Sequence, residues 1–120
     1  MSSKIIKLNR GDSYEFTIAI PEKTGPYMLT EKDVVYFAIM YPHQPFEKSF
    51  IVKGYTLDEQ EYNGDLVIRI EPNDTRRLAP GVYYYTVKLQ KGGTLDVIDD
   101  FDEPDEVRTI IDRTKFIVNE

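Results

Sequence analysis

His43 is the only histidine of this 120-residue chain, and the chain contains no cysteine. A catalytic Ser-His-Asp triad needs its histidine beside a serine and an acid, but His43 lies in the proline-punctuated segment Tyr41-Pro42-His43-Gln44-Pro45. Zinc sites in their common forms need at least two imidazoles, or thiolates. Neither a Walker loop nor a Gly-x-Gly-x-x-Gly motif occurs. The sequence therefore predicts a protein that is not an enzyme and that uses no cofactor.

Carboxylates are concentrated in residues 99–106, where six of eight side chains are acidic. Calcium prefers clustered oxygen ligands, so Asp99, Asp100 and Asp102 are candidate calcium ligands. The spacing and the central glycine of an EF-hand loop are absent, and acidic runs of this kind are commonly solvated, self-repelling loops. Both interpretations stay open on the sequence.

The nine tyrosines of the chain, which has no tryptophan, favour contact surfaces. One alternative function is a carbohydrate-binding module, in which two or three coplanar rings stack on a glycan. The candidate rings are Tyr27, Tyr36, Tyr41, Tyr55 and Tyr62.

The formal net charge of −6 argues against binding to nucleic-acid phosphates, which depends on clustered Lys and Arg. Residues 1–8 lack the apolar core of a signal peptide, and no apolar run approaches the roughly 20 residues of a membrane span. We therefore expect one domain over residues 1–120 that is made in the cytoplasm, is not secreted, and binds neither nucleic acid nor membrane.

Apolar and polar residues alternate with period two along most of the chain, which is typical of β-strands. We predict strands at residues 4–8, 14–20, 34–41, 49–53, 65–70, 83–89, 107–111 and 115–118. Turns are expected at Asn63-Gly64, at Gly92-Gly93 and at Asp112-Arg113. No segment sustains an amphipathic helical stripe. The predicted fold is all-β: one immunoglobulin-like antiparallel β-sandwich of about seven to nine strands with at most short helical turns.

Residues 72–89 support this fold most strongly. Turn formers and one possible helical turn that buries Leu78 are followed by Pro80-Gly81 and then by a strand. Tyr83, two residues after Gly81, occupies the place of the tyrosine corner of such sandwiches, and its hydroxyl is expected to bond to nearby backbone.

Residues 34–41 break the alternation because both faces of this strand are apolar. If Val35, Phe37, Ile39 and Tyr41 line the core, the opposite face carries other apolar side chains. The predicted interface residues on that face are Val34, Tyr36, Ala38 and Met40, joined by Tyr84 from the neighbouring strand. Either the chain itself covers them, with residues 46–55 or with the C-terminal hairpin, or a protein partner does.

The order of four motifs resembles small immunoglobulin-like domains of bacteriophage structural proteins, including upper-baseplate N-terminal domains and capsid- or fibre-associated modules. The motifs are Arg10-Gly11-Asp12-Ser13-Tyr14-Glu15-Phe16, Thr30-Glu31-Lys32-Asp33-Val34-Val35-Tyr36-Phe37, the corner Asp74-Thr75-x-x-Leu78-x-x-Gly81-x-Tyr83-x-Tyr85, and Val107-Arg108-Thr109-Ile110 followed by Lys115-Phe116-Ile117-Val118. The resemblance implies a component of a phage or prophage particle (baseplate, neck, capsid decoration or fibre anchoring) that binds other virion proteins or copies of itself. It implies no catalytic or ligand-binding residue.

Overall fold

Strands make up most of the structure, a computed structural model that describes residues 5–22, 25–61, 64–91 and 106–120. The strands are β1 (Ile6–Asn9), β2 (Tyr14–Ala19), β3 (Pro21–Glu22), β4 (Gly25–Pro26), β5 (Val34–Met40), β6 (Ile51–Tyr55), β7 (Asp65–Ile70), β8 (Gly81–Lys91) and β9 (Glu106–Asn119). The helical elements are α1 (Pro72–Thr75) and two 3₁₀ turns, Phe46–Lys48 and Leu57–Glu59. The all-β prediction with short helical turns is confirmed.

Five strands form the main sheet, in the order β1-β9-β8-β5-β6, while β2 pairs with β7 and β3 with β4. All pairs are antiparallel except β1 with β9, which run parallel with Ile6 opposite Phe116. The prediction of an entirely antiparallel arrangement is wrong at this edge. After β1 the chain turns at Gly11, which has a positive φ of 86°, and leaves the main sheet for β2. Both chain ends therefore share one edge without a hairpin between them.

The core lies between the inner face of the main sheet and the β2–β7 pair. Phe16, Phe37 and Tyr85 meet there, with the Phe16 ring centroid 5.9 Å from that of Phe37 and 6.0 Å from that of Tyr85. The predicted inward positions Val35, Phe37 and Ile39 of β5 are confirmed. Tyr41 is the exception, because it is 48% exposed and packs its ring on Phe50 and Tyr83.

The connection from β7 to β8 has the predicted corner. The Tyr83 hydroxyl donates a 2.6 Å hydrogen bond to the carbonyl of Ala79, and Leu78 packs against the core. Thr75, the last residue of α1, is fully buried, and its Oγ1 accepts a 2.9 Å bond from the N–H of Gly11. One buried hydroxyl thus joins the turn before β2 to the helical turn before β8.

β9 is one continuous strand where the sequence predicted two strands and a turn at Asp112-Arg113. Its register against β8 shifts on both sides of Val87, and this irregularity absorbs the break in alternation that had indicated a turn. The irregular backbone is held by side chains of its own: Asp112 Oδ1 accepts from the N–H of Arg113, and Thr114 Oγ1 donates to the Asp112 carbonyl. Two other predicted turns include Asn63 and Gly92-Gly93, which lie outside the described residues.

Lys53 ties the β6 side of the main sheet to the β2–β7 pair. Its Nζ lies 2.6 Å from Asp74 Oδ2 and donates to the carbonyl of Arg69 at 3.0 Å. The hydroxyl of Tyr55 accepts from the N–H of Arg69 at 3.3 Å. Side chains of β6 therefore satisfy a backbone donor and a backbone acceptor of β7.

Candidate interaction surface

The face of the main sheet opposite the core, here called the outer face, carries the predicted interface residues. Val35, Phe37 and Ile39 of β5 belong to the core. Successive residues of a strand point to opposite faces, so the other β5 side chains point outward. Tyr84 joins them from β8, where it pairs with Met40.

Three of the five predicted residues are buried by the chain itself. Val34 is 2% exposed, and Ala38 and Met40 are 0% exposed, whereas Tyr36 and Tyr84 are half-buried. Val34, Ala38 and Met40 are therefore not available to a partner as predicted. The interface on this face stays a prediction, and its accessible part reduces to Tyr36, Tyr84 and their neighbours.

Three contacts show which other parts of the chain lie against this face. The 3₁₀ turn Phe46–Lys48 follows β5, and the Phe46 ring lies 4.4 Å from Lys88 Nζ, which belongs to the outer face. A β-carbon at Gly54 would lie 3.6 Å from carbons of both Val34 and Tyr36, so the glycine of β6 lies directly beside these side chains. From β9, Arg113 Nη1 lies 3.2 Å from Met40 Sδ. Two concave regions remain on this face.

The first region, called the Tyr36 groove, has a volume of about 550 Å³ and is lined by Tyr36, Phe46, Glu47, Val52, Lys88, Gln90 and Val107. Val52 is 53% exposed and Val107 is 54% exposed, so two branched apolar side chains of different strands stand in solvent beside one groove. Burial raises the pKa of the Tyr36 hydroxyl, which therefore stays protonated and able to donate a hydrogen bond at neutral pH.

The second region, called the Arg113 cavity, has a volume of about 570 Å³ and is lined by Pro42, His43, Gln44, Pro45, Tyr84 and Arg113. Arg113 Nη1 donates a 2.6 Å bond to the Gln44 carbonyl, and the guanidinium carbon lies 5.4 Å from the Tyr84 ring centroid. His43 has a positive φ of 68°, which is uncommon for a residue with a side chain. The cavity thus combines an oriented cation with a strained loop.

The metal-ligand candidates of the sequence have no counterpart elsewhere in the described residues. These contain no group of three or more His, Asp or Glu side chains able to hold a metal ion. The calcium candidates Asp99, Asp100 and Asp102 lie outside the described ranges. Within those ranges no helix is long and apolar enough to cross a membrane.

Three of the five tyrosines proposed for glycan stacking have ring or hydroxyl contacts within the chain, while Tyr36 lines the Tyr36 groove. The Tyr27 hydroxyl donates a 2.5 Å bond to Asp33 Oδ2, and Lys91 Nζ lies 4.4 Å from the centre of its ring. Tyr41 packs on Phe50, and Tyr55 contacts β7. Tyr62 lies outside the described residues, and glycan binding stays a prediction.

Sequence reasoning missed four residues of this surface: Phe46, Val52, Val107 and Arg113. Val52 and Val107 lie in predicted strands, so counting outward positions on those strands would have found them. Phe46 begins the segment 46–55 that the sequence had offered as possible cover for this face, and its ring lies 4.4 Å from Lys88 Nζ. Arg113 was assigned to a turn because the irregular register of β9 imitates a break between strands.

The chain matches no protein-family model, and no curated protein matches it.

Proposed function

We propose that this chain is a non-enzymatic structural or adaptor module of a phage or prophage particle, and that it binds protein through the outer face of its main sheet. Its partners are other virion proteins or further copies of the chain. Its location is the virion, after synthesis in the cytoplasm of the bacterial host. The observation that carries the proposal is the Tyr36 groove, with two exposed valines beside a half-buried tyrosine.

An immunoglobulin-like sandwich is the finer fold that we infer. The strand order β1-β9-β8-β5-β6 opposite β2–β7 is compatible with the variable-type immunoglobulin arrangement, in which the sheet containing strands C, F and G is extended at its edge. The hydrogen bond from Tyr83 to Ala79 supports the same inference, because a tyrosine hydroxyl bonded to backbone a few residues upstream defines the tyrosine corner.

Protein contact explains the outer face better than solvent does. Exposed valines are individually ordinary on a protein surface, but apolar side chains grouped around a groove mark interaction sites. Tyr36 adds a half-buried ring with a protonated hydroxyl, and tyrosine is enriched where interfaces concentrate their binding energy. The phage setting comes from the motif resemblance, and the net charge of −6 argues against nucleic acid as the partner.

The experiment changes Val52 and Val107 together to lysine. Both side chains are more than half exposed, so the variant keeps its core and its melting temperature. Met28→Lys is the matched control, because Met28 is 49% exposed and lines neither region of the outer face. Sedimentation velocity reports self-association, and recovery of the tagged chain with purified particles reports binding to virion proteins.

The proposal predicts that the double variant loses at least ten-fold in one of these two readouts while Met28→Lys loses neither. That loss corresponds to about 1.4 kcal/mol, more than most single interface residues contribute when truncated. Unchanged association of a folded double variant in both readouts contradicts the proposed surface. Tyr36→Lys with Met40→Lys is a poor test, because Met40 is fully buried and its replacement would unfold the chain.

A further inference from the structure

Arg113 is held so that one edge of its guanidinium is already used. Nη1 donates to the carbonyl of Gln44 at 2.6 Å and lies 3.2 Å from Met40 Sδ. The guanidinium plane is further restrained over the ring of Tyr84. The structure gives no bond from Nε or Nη2 to any described residue, and these two N–H groups form the side-on edge that binds a carboxylate with two parallel hydrogen bonds.

The surroundings of that edge are basic and polar on an otherwise acidic chain. Lys115 is exposed and lies directly opposite Tyr84 in the register of β8 and β9, so both side chains belong to the outer face. His43 lines the same cavity. The acid adjacent in sequence, Asp112, uses Oδ1 to accept the backbone N–H of Arg113. On a chain of net charge −6, the two cationic side chains Arg113 and Lys115 on one face favour an anionic ligand there.

The loop that carries Gln44 is preorganised for this role. Two prolines bracket His43 and Gln44, and Gln44 N–H donates to the Tyr41 carbonyl at 3.2 Å. His43 keeps a left-handed backbone conformation, which costs free energy in a residue with a side chain. This conformation lies next to the carbonyl that positions Arg113, so the arrangement is one that the loop holds before any ligand arrives.

We propose that the Arg113 cavity binds a side-chain carboxylate of an acidic peptide segment, supplied by the protein partner of the outer face. The inference rests on the proposed function and names the chemistry of that partner. A volume of about 570 Å³ lies within the usual range for ligand pockets, roughly 300–1000 Å³. The carboxylate bonds to Nε and Nη2 of Arg113, while Pro42 and Pro45 contact the apolar atoms of the segment.

Two rival ligands fit less well. An acidic sugar would use an open aromatic face for stacking, but Arg113 occupies one face of Tyr84. A phosphate group can also bond to one guanidinium edge through two of its oxygens, but phosphate sites in proteins commonly add several backbone N–H donors of a helix N-terminus, and this cavity is lined by residues 42–45 and by side chains of β8 and β9.

The test is a ¹H–¹⁵N NMR titration of the full chain that follows both the backbone amides and the Nε–H signal of Arg113. The probe is the capped tetrapeptide acetyl-Leu-Glu-Asp-Leu-amide, and its uncharged match is acetyl-Leu-Gln-Asn-Leu-amide. We expect the acidic peptide to shift the Arg113 Nε–H signal and the amides of His43, Gln44 and Tyr84, with a dissociation constant in the millimolar range. The uncharged peptide shifts none of them.

Three variants distinguish the effect of the guanidinium geometry from the effect of its positive charge and from the effect of the net charge of the chain. Arg113→Gln weakens peptide binding at least ten-fold, and Arg113→Lys restores only part of the affinity because an ammonium lacks the two-donor edge. Arg76→Gln removes one exposed positive charge outside the cavity and leaves binding unchanged.

Several results overturn the inference. These are equal shifts from both peptides, full rescue by Arg113→Lys, or shifts from glucuronate or inorganic phosphate with none from the peptide. If an Arg113 variant does not fold, the response of the Arg113 Nε–H signal of the unchanged chain to the two peptides still tests the inference. If the acidic peptide does not bind but particle recovery still depends on Val52 and Val107, only the proposal of a carboxylate ligand is refuted. Loss of that dependence refutes the proposed function.

Discussion

Replacing Tyr83 by phenylalanine removes one oxygen atom from the corner between α1 and β8 and leaves the ring in place. The hydroxyl is a donor to the Ala79 carbonyl at 2.6 Å, and Tyr83 is only 5% exposed. A buried hydrogen bond of this kind contributes about 1 kcal/mol net. Ala79 itself is exposed, so its carbonyl can accept a bond from water in the variant. We therefore expect the free energy of unfolding to fall by about 1 kcal/mol.

For a chain of 120 residues that loss lowers the melting temperature by about 4 °C. The assay is urea unfolding followed by circular dichroism, with a calorimetric melt of the same samples. Tyr84→Phe is the matched control: it is the neighbouring residue, is half-buried, and has a hydroxyl without a hydrogen-bond partner among the described residues. Its unfolding free energy is expected to change by less than about 0.5 kcal/mol.

An equal change in the two variants would refute this reasoning, because the bond to Ala79 would then contribute nothing specific. A loss well above about 3 kcal/mol in Tyr83→Phe would also contradict it. Such a loss exceeds what one hydrogen bond supplies, and would mean that removal of the hydroxyl rearranges the corner.

Two further predictions concern buried polar groups. Thr75→Val keeps the side-chain shape but leaves the Gly11 N–H without its acceptor, so the free energy of unfolding falls by about 1–3 kcal/mol. Thr17→Val, on the exposed side of β2, is the control and should leave the free energy of unfolding nearly unchanged. Equal effects of the two changes would show that the bond does not stabilise the fold. Burial, followed by the hydrogen bond to Asp33, raises the pKa of Tyr27 to about 12. Because the unfolded tyrosine loses its proton near pH 10, the native state binds more protons between about pH 10 and 12, so this stabilisation is complete below pH 10 and declines above it. Urea unfolding at pH 9 and pH 11 should show a smaller decline for Tyr27→Phe than for the unchanged chain, and equal declines would contradict the assignment.

Much of the fold was predictable because strands with one buried face carry a period-two pattern. β2, β5, β7 and β8 were placed within a few residues on that basis. The corner at Tyr83 was predictable as well, since its turn residues and its tyrosine have fixed spacing. These features are local in the chain.

The remaining features depend on contacts between distant segments. The parallel pairing of β1 with β9 leaves no mark in either strand, because the pattern does not encode the direction of a neighbour. The continuity of β9 was hidden by its irregular register opposite Val87. The short β3–β4 pair has too few residues to show any period.

The candidate surface was predicted only in part. The two-sided apolar pattern of β5 correctly indicated that its outward side chains need cover. The sequence offered residues 46–55 as possible cover but did not show that Arg113 lies against Met40, since such contacts depend on where separate segments pack on the sheet. Of the five predicted interface residues, Tyr36 and Tyr84 are still accessible: Tyr36 lines the Tyr36 groove and Tyr84 lines the Arg113 cavity.

The most direct measurement is photo-cross-linking from the Tyr36 groove within assembled particles. The chain has no cysteine, so Val52→Cys can carry a single benzophenone label, and Met28→Cys provides the same label elsewhere on the surface. Mass spectrometry of the illuminated particles identifies each adduct. The proposal predicts that position 52 links to another virion protein or to a second copy of the chain, and that position 28 yields far less of this adduct. Equal yields from both positions, or particles that contain none of the labelled chain, would contradict it.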